Sequence, residues 1–420
     1  MPIPVTYRRC YHSDSLLLCC SQWNRFIMHI KRFILTLTLA GALLLIAFVG
    51  GAIAEEQTDD TTIITQTIAS GLDNPRGVAV MPDGRLLVAE AGDGSARPRN
   101  GRGTIRVFSD SNGDGYFDQR DMAFCCVGNY NALTEFGTGQ DEVGGLGDLI
   151  LLDDGRVFFT QDDPAMGYVA DGRPRGIALM GLTPEPEWAR YEVAVRNATM
   201  NALVYDPDDD LLYVAESGLN RVSAVTIDGE VTGIAVFEAL EDGQESVPAG
   251  LARDPRNGDL LVALFSGQNR DYYGSVIAYM PEAARIIRLN PQSGEWRVEI
   301  GGLTTAVDVD IDGAGNIYTV EMTTGWPAAV MPRNFPLMDT EAPPDAGGYP
   351  RFSGRVTMYP ADGGDPVVLA DGLDAPSNIT YHDGALYVSV GQGTPGRPII
   401  GPDGRTRITG SILRISGFTD

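Results

Sequence analysis

One unit recurs six times along the chain: a Gly- or Pro-containing approach, a short apolar strand, a tight Asp/Gly/Asn turn and a second apolar strand. The copies are GLDNPRGVAVMPDGRLLVAEAG (71–92), GGLGDLILLDDGRVFFTQ (144–161), MNALVYDPDDDLLYVAESG (200–218), VPAGLARDPRNGDLLVALFSG (247–267), GGLTTAVDVDIDGAGNIYTVEMTTG (301–325) and GLDAPSNITYHDGALYVSVGQG (371–392). A third strand follows each, as in GTIRVFS or GRVTMYP, and a fourth closes most units, as in YEVAVRN, TGIAVFEA and WRVEIGG. A repeat of this length outranks local propensity, because one unit cannot bury its own apolar faces and must stack on its neighbours. Six four-stranded antiparallel units make an all-β, six-bladed β-propeller. The last unit stops at GSILRISGFTD without a fourth strand, while strand TTIITQTIAS (61–70) precedes the first unit without a partner. If strand 61–70 completes the last blade, the ring closes and no sheet edge stays open. Two separate sandwich domains are the alternative, but no Ser/Thr/Pro-rich linker divides residues 60–420.

The inserts are unequal. First-to-second turns are terse (MPDGR, LDDGR, DPDDD, DPRNG, IDGAGN, HDG), whereas second-to-third connections are long at 91–102, 161–175, 265–285, 322–353 and 391–409; only ESGL in the third blade is short. In a propeller the second-to-third loops and the approaches to the first strand share a face, so the long loops gather there, and long loops kept in a compact fold are usually functional. They carry Tyr168, Arg173, Arg175, Phe265, Arg270, Tyr272, Tyr273, Tyr279, Trp326, Arg333, Phe335, Tyr349, Arg351, Phe352 and Arg397. These read as an aromatic-lined cap over the channel mouth that binds a ligand, rings giving apolar contact and Arg anchoring anionic groups, or as loop cores that cover the barrel end. Glu90, Glu216 and Glu321 end the second strands of blades 1, 3 and 5, with Gln161 at that place in blade 2. Such carboxylates either hold a cation or substrate hydroxyl at the channel face or hydrogen-bond backbone groups of the neighbouring blade.

Residues 110–121 read DSNGDGYFDQRD, with Asp110, Asn112 and Asp114 at positions 1, 3 and 5, Gly115 at 6, the Tyr116 carbonyl at 7, Asp118 at 9 and Asp121 at 12. Oxygen ligands at alternate positions around a Gly turn are the pattern of an EF-hand-type calcium loop. Asp replaces Glu at position 12, as in dockerin-type loops, and the loop follows a strand instead of a helix. Lying between the third and fourth strands of blade 1, it sits opposite the long-loop face, which points to a structural Ca2+; an acidic turn is the plainer reading.

The first 54 residues read as an address. Lys31-Arg32 leads into the apolar run FILTLTLAGALLLIAFVGG and then AIA-EEQ, a Sec signal pattern with cleavage after Ala54 and a start at Met28. An uncleaved anchor is the other reading. Residues 55–420 are then the exported propeller. The formal net charge of −25 repels phosphate backbones and disfavours nucleic acid as a partner. Three His and five Cys exclude Cys/His zinc clusters. The adjacent Cys125 and Cys126 are open to a vicinal disulfide, buried thiols or a cross-link to a partner. Neither a nucleophile elbow nor a phosphate-cradling strand-to-helix loop is present.

The phrases ASGLDNPRGVAVMPDGRLLVAEAG, NRVSAVTIDGEVTGIAVF, SVPAGLARDPRNGDLLVALFSG and DGLDAPSNITYHDGALYVSV resemble the exported NHL-type propellers of the ScyD/ScyE family across roughly 65–415. That resemblance implies fold far more than chemistry. A second resemblance is to soluble quinoprotein sugar dehydrogenases, which use a His base beside the quinone; the one His after residue 54, His382, falls in a turn on the other face. A third is to gluconolactonase and regucalcin propellers, which place Glu, Asn and Asp around one channel cation; Glu90, Asn201 and Asp148 are loosely compatible. The leading expectation is a secreted, non-catalytic binding or scaffold module with calcium at 110–121 and a ligand or protein on the long-loop face. The alternative is a channel-centred enzyme, quinone-dependent or gluconolactonase-like.

Overall fold

A computed structural model gives residues 62–95, 103–133, 140–161, 200–227, 229–241, 243–267, 278–327, 335–339 and 348–418, with the backbone alone for strands 176–181, 190–194, 269–272 and 275–277 and for Cys126. All belong to the unit Asp60–Asp420. The expected address segment and several loop residues of the expected cap, among them Tyr168, Arg173 and Arg333, lie outside the described residues.

The chain is an all-β propeller. Among the described residues, strands form six four-stranded antiparallel sheets. From the inner strand outward they are Pro75–Val80, Leu86–Glu90, Gly103–Ser109 and Gln119–Val127; Leu146–Leu151, Arg156–Gln161, Gly176–Gly181 and Arg190–Ala194; Met200–Asp206, Leu211–Glu216, Arg221–Thr226 and Val231–Val236; Pro248–Arg253, Leu260–Leu264, Ala284–Leu289 and Trp296–Leu303; Ala306–Ile311, Ile317–Glu321, Gly354–Tyr359 and Val367–Leu373; and Asn378–His382, Ala385–Val390, Gly410–Ser416 and Ile64–Leu72. The N-terminal strand is therefore the outer strand of the last sheet, with Ile64 opposite Ser416 and Leu72 opposite Gly410. Each inner strand contacts the inner strands of the blades before and after it, and the first contacts the last.

The strands are two-sided, so their apolar residues alternate between two interfaces, and all of Leu86–Glu90 is buried. Leu87 and Ala89 pack with Leu149, Val157 and Phe159 of the next blade, and Phe124 lies 5.1 Å from Phe159. Leu86 and Val88 face the other way, onto Ile68, Leu72 and Ile412 of the last blade. Four further apolar clusters fill the remaining interfaces between blades. Burying both faces of every sheet is what the repeat requires, and it leaves the inner-strand edges to line an axial channel.

Candidate functional site at the channel

The register of each inner strand against its neighbour fixes which residues share a level of the channel. Val78, Leu149, Leu203, Leu251, Val309 and Ile379 pair with equivalent second-strand residues. The residues just before them are Gly77, Asp148, Ala202, Gly250, Asp308 and Asn378. In five blades the pairing slips immediately before or at this level. A bulge of that kind re-aims a side chain, here toward the channel.

Asp148 accepts the N–H of Leu149 at 2.8 Å and that of Leu203, in the next blade, at 3.2 Å. Asp308 likewise accepts the N–H of Ile379 at 3.0 Å, and two residues further along Asp310 accepts that of Tyr381 at 2.6 Å. Asn378 Nδ2 donates to Asp308 Oδ2 at 2.8 Å and reaches Asp148 Oδ1 at 3.4 Å, past Gly77. Burial pushes the Asp148 carboxyl up to about 7 and that of Asp310 up to about 6. Asp308 is driven well up by burial and then by the charge of Asp148.

Above this level, toward the long loops, segments of four blades meet. Arg76, at the start of the first inner strand, donates to the Val143 carbonyl at 2.7 Å, and Gln392 Nε2 donates to that same carbonyl at 3.1 Å. Arg76 Nη2 is 3.9 Å from Glu142, whose side chain keeps a third of its surface exposed. The Tyr349 hydroxyl contacts Glu142 Oε2 at 3.5 Å. Burial, with the Glu142 charge behind it, holds the Tyr349 phenol well above its ordinary value, so it stays a donor. Tyr279 stacks on Tyr349 at 5.8 Å and Phe265 meets it edge-on at 6.2 Å, which fixes the ring. Arg351 pairs with Asp374 at 2.6 Å and donates to the Gln392 carbonyl, and Arg397 pairs with Asp141 at 2.7 Å in the buried rim. Of the expected cap, Tyr279, Tyr349, Phe265 and Arg351 thus meet at the mouth.

The second-strand glutamates are engaged within their own blades, not with backbone groups of the neighbouring blade as expected. Glu90 accepts the Asp73 N–H at 2.9 Å and pairs with Arg106 at 3.0 Å; Glu216 is gripped by both ends of Arg221 at 2.8 and 3.1 Å; Glu321 accepts the Thr304 N–H at 2.6 Å. Glu90 and Glu321 therefore tie down the turns that lead into the inner strands. Gln161 is buried at the equivalent place. Asp148 is brought together with Asp308 and Asn378, and Glu90 is occupied elsewhere, so the triple Glu90, Asn201 and Asp148 does not fit the cation arrangement of gluconolactonase-like propellers. Among the described residues no group of three or more His, Cys, Asp or Glu is arranged to hold a metal. His382 is on the terse-turn side with Asp383 3.9 Å away, so it does not fit the base of a quinone site at the mouth.

In the loop at 110–121, Asp110 accepts the N–H groups of Asn112, Gly113, Asp114 and Gly115 at 2.7 to 3.3 Å, Asp114 accepts that of Tyr116 at 2.8 Å, and Asp118 takes both Ser111 donors. Gly115 has φ +88°, the left-handed turn that glycine supplies at position 6. Cys125 is disulfide-bonded; its partner's side chain is outside the described residues.

A propeller with a polar, aromatic-walled channel mouth is the class that fold and site define. Residues 56–300, more than half of the chain, match the SMP-30/Gluconolactonase/LRE-like region, and the chain belongs to that family. No curated protein matches it. Among solved structures, a protein of unknown function from Bacteroides thetaiotaomicron is 12% identical with a TM-score of 0.50, covering 84% of this chain and 76% of that one. The PQQ-bound aldose sugar dehydrogenase of Streptomyces coelicolor is 15% identical (TM-score 0.45; 85% and 99% covered), and virginiamycin B lyase of Staphylococcus aureus is 11% identical (TM-score 0.45; 84% and 99%). Likenesses this distant concern the fold alone.

Proposed function

We propose that this six-bladed propeller is an exported enzyme of the gluconolactonase-like kind, opening a cyclic ester at the channel mouth on the long-loop face. The observation that carries the reading is Glu142: a carboxylate with a third of its side chain in solvent, flanked by Arg76 at 3.9 Å and Tyr349 at 3.5 Å, in a chain of the SMP-30/gluconolactonase family. Glu142 takes a proton from water as the water oxygen bonds the lactone carbonyl carbon. The ring C–O bond then breaks, and the proton on Glu142 passes to the departing alkoxide. The product is a hydroxy acid; its carboxyl gives one proton to solvent, and the resulting carboxylate faces the Arg76 guanidinium, the side chain best shaped to receive it. Tyr349, kept protonated, holds Glu142 in place. The test is hydrolysis of aldonolactones by the full chain, followed as acid release. Glu142→Gln is expected to lose at least about 10²-fold in kcat with its melting temperature unchanged; a wild-type chain inert toward lactones, or an equally active variant, refutes the reading.

A second reading keeps the propeller as a ScyD/ScyE-like secreted binding module with a structural Ca2+ at 110–121. It is favoured by the loop's oxygen spacing and by the glycine turn at Gly115. Under it, a ligand bound at the mouth leaves unchanged.

A further inference from the structure

The groups flanking the Glu142 carboxylate stand at 3.9 and 3.5 Å, contacts that orient it only once its main chain is in place. That main chain is held on both sides. The Ala132 N–H donates to the Glu142 carbonyl at 2.7 Å, and the Val143 carbonyl just after it takes Arg76 and Gln392. Just before it, Asp141 is almost wholly buried and its carboxylate is filled with donors. Oδ1 accepts Asn131 Nδ2 at 2.8 Å, Thr394 Oγ1 at 2.7 Å and the Thr394 N–H at 3.1 Å, and Oδ2 accepts Arg397 Nη1 at 2.7 Å. Arg397 is among the most deeply buried large side chains, and the hairpin of Pro398–Gly401 with Gly404–Arg407 follows it directly.

We infer that the buried pair of Arg397 and Asp141 positions Glu142, so that the long loop of the last blade sets where the carboxylate stands at the mouth. The inference rests on Glu142 being the base of lactone opening; both residues act through its main chain. Cohesion alone does not call for this pair, since burying two charges costs more than it returns unless the geometry is excellent, and apolar side chains of similar volume often serve as well. Apolar contact does not fix a direction, whereas donors converging on both oxygens leave Asp141 a single orientation. Through the Ala132 bond this stretch continues the pairing of Asn131 with Val143, and successive residues of such a ladder point to opposite sides. Locking Asp141 inward therefore turns Glu142 outward, where a third of its side chain meets solvent. Arg76 and Gln392 stay on Val143 when Arg397 is removed, so substrate binding outlasts that loss and the aligned attack of water does not.

The test is steady-state hydrolysis of gluconolactone by the full chain, with a melting temperature for each variant. Arg397→Met is expected to lose at least about tenfold in kcat with KM within about threefold of wild type, and Arg397→Lys, which still pairs with Asp141, to regain most of that loss. D141N/R397M removes both charges: it should recover the melting temperature that Arg397→Met forfeits while kcat stays at least about tenfold low, a split that a purely structural pair does not give. Should Arg397→Met fail to fold, Thr394→Val removes one hydrogen bond to Asp141 and no charge, and about a threefold fall in kcat at constant KM is expected; an unchanged kcat there overturns the inference. So does full activity in D141N/R397M, or a loss confined to KM. A wild-type chain inert toward gluconolactone overturns the proposed reaction and this inference together, whereas an inactive Glu142→Gln beside a fully active Arg397→Met overturns this inference alone.

Discussion

Gly77 faces Asp148 so closely that a β-carbon on Gly77 would sit 2.7 Å from Asp148 Oδ1 and 2.4 Å from the Leu149 nitrogen. Gly77→Ala and Gly250→Ala must push an inner strand off its neighbour, and each is expected to cost about 2 kcal/mol by urea denaturation. Gly313, with nothing within 4 Å of a β-carbon, is the control: Gly313→Ala should stay within about 0.5 kcal/mol of wild type.

Among the described residues, Arg76 is a cation 3.9 Å from Glu142. Arg76→Met should raise KM for a lactone about tenfold and weaken product inhibition by the aldonate at least as much, with a smaller change in kcat. Steady-state kinetics with added product separates the two; product inhibition that is unchanged removes Arg76 from the site.

Asp254 is buried between Arg256 and Arg288, each 2.7 Å from Oδ2. Burial alone would lift its carboxyl, but hydrogen bonds from Arg256, side chain and backbone, and from Arg288 hold it well below the usual carboxylate range. A carboxyl depressed in the folded state stabilises above its unfolded value, about 3.9, and that contribution drains away as pH falls below it. Asp254→Asn should cost about 3 kcal/mol at pH 7, since Arg288 is left buried with less compensation. The gap in urea midpoints between wild type and variant should narrow steadily between about pH 4 and pH 2; a gap independent of pH would contradict this account.

The loop at 110–121 has its acidic side chains folded onto its own N–H groups. If Ca2+ is held there, chelation should speed proteolytic cutting within the loop by about tenfold or more, and Asp114→Asn should be cut as fast with Ca2+ present. Mass mapping of the fragments locates the cut. Cleavage that ignores Ca2+ would leave an ordinary acidic turn.

The repeat makes the sheets legible because its spacing is set by backbone pairing: Ile64–Leu72, overlapping the expected strand 61–70, pairs with Gly410–Ser416 as its orphaned position implies. The glutamates at 90, 216 and 321 are legible in place but not in partner, since Arg106, Arg221 and the Thr304 N–H are found only once the blade is folded. Asp148, Asp308 and Asn378 do stand in one column when the inner strands are aligned by their turns, so a signal existed. What sequence cannot supply is the bulge that turns that column into the channel, or the glycines' clearance across from it. Glu142 and Tyr349 meet across 207 positions through irregular loops, where no periodicity reports proximity.

Among the described strands, the outermost strand of the last sheet is the earliest in the chain. Ile64–Leu72 has no place to bind until Gly410–Ser416 exists, so the ring can shut only after all six sheets have been made. Contacts between distant stretches form slowly, and in the interval an unpaired strand edge is exposed at each end. A ring built this way closes last, and whatever holds the chain meanwhile must shield two edges that later cover one another.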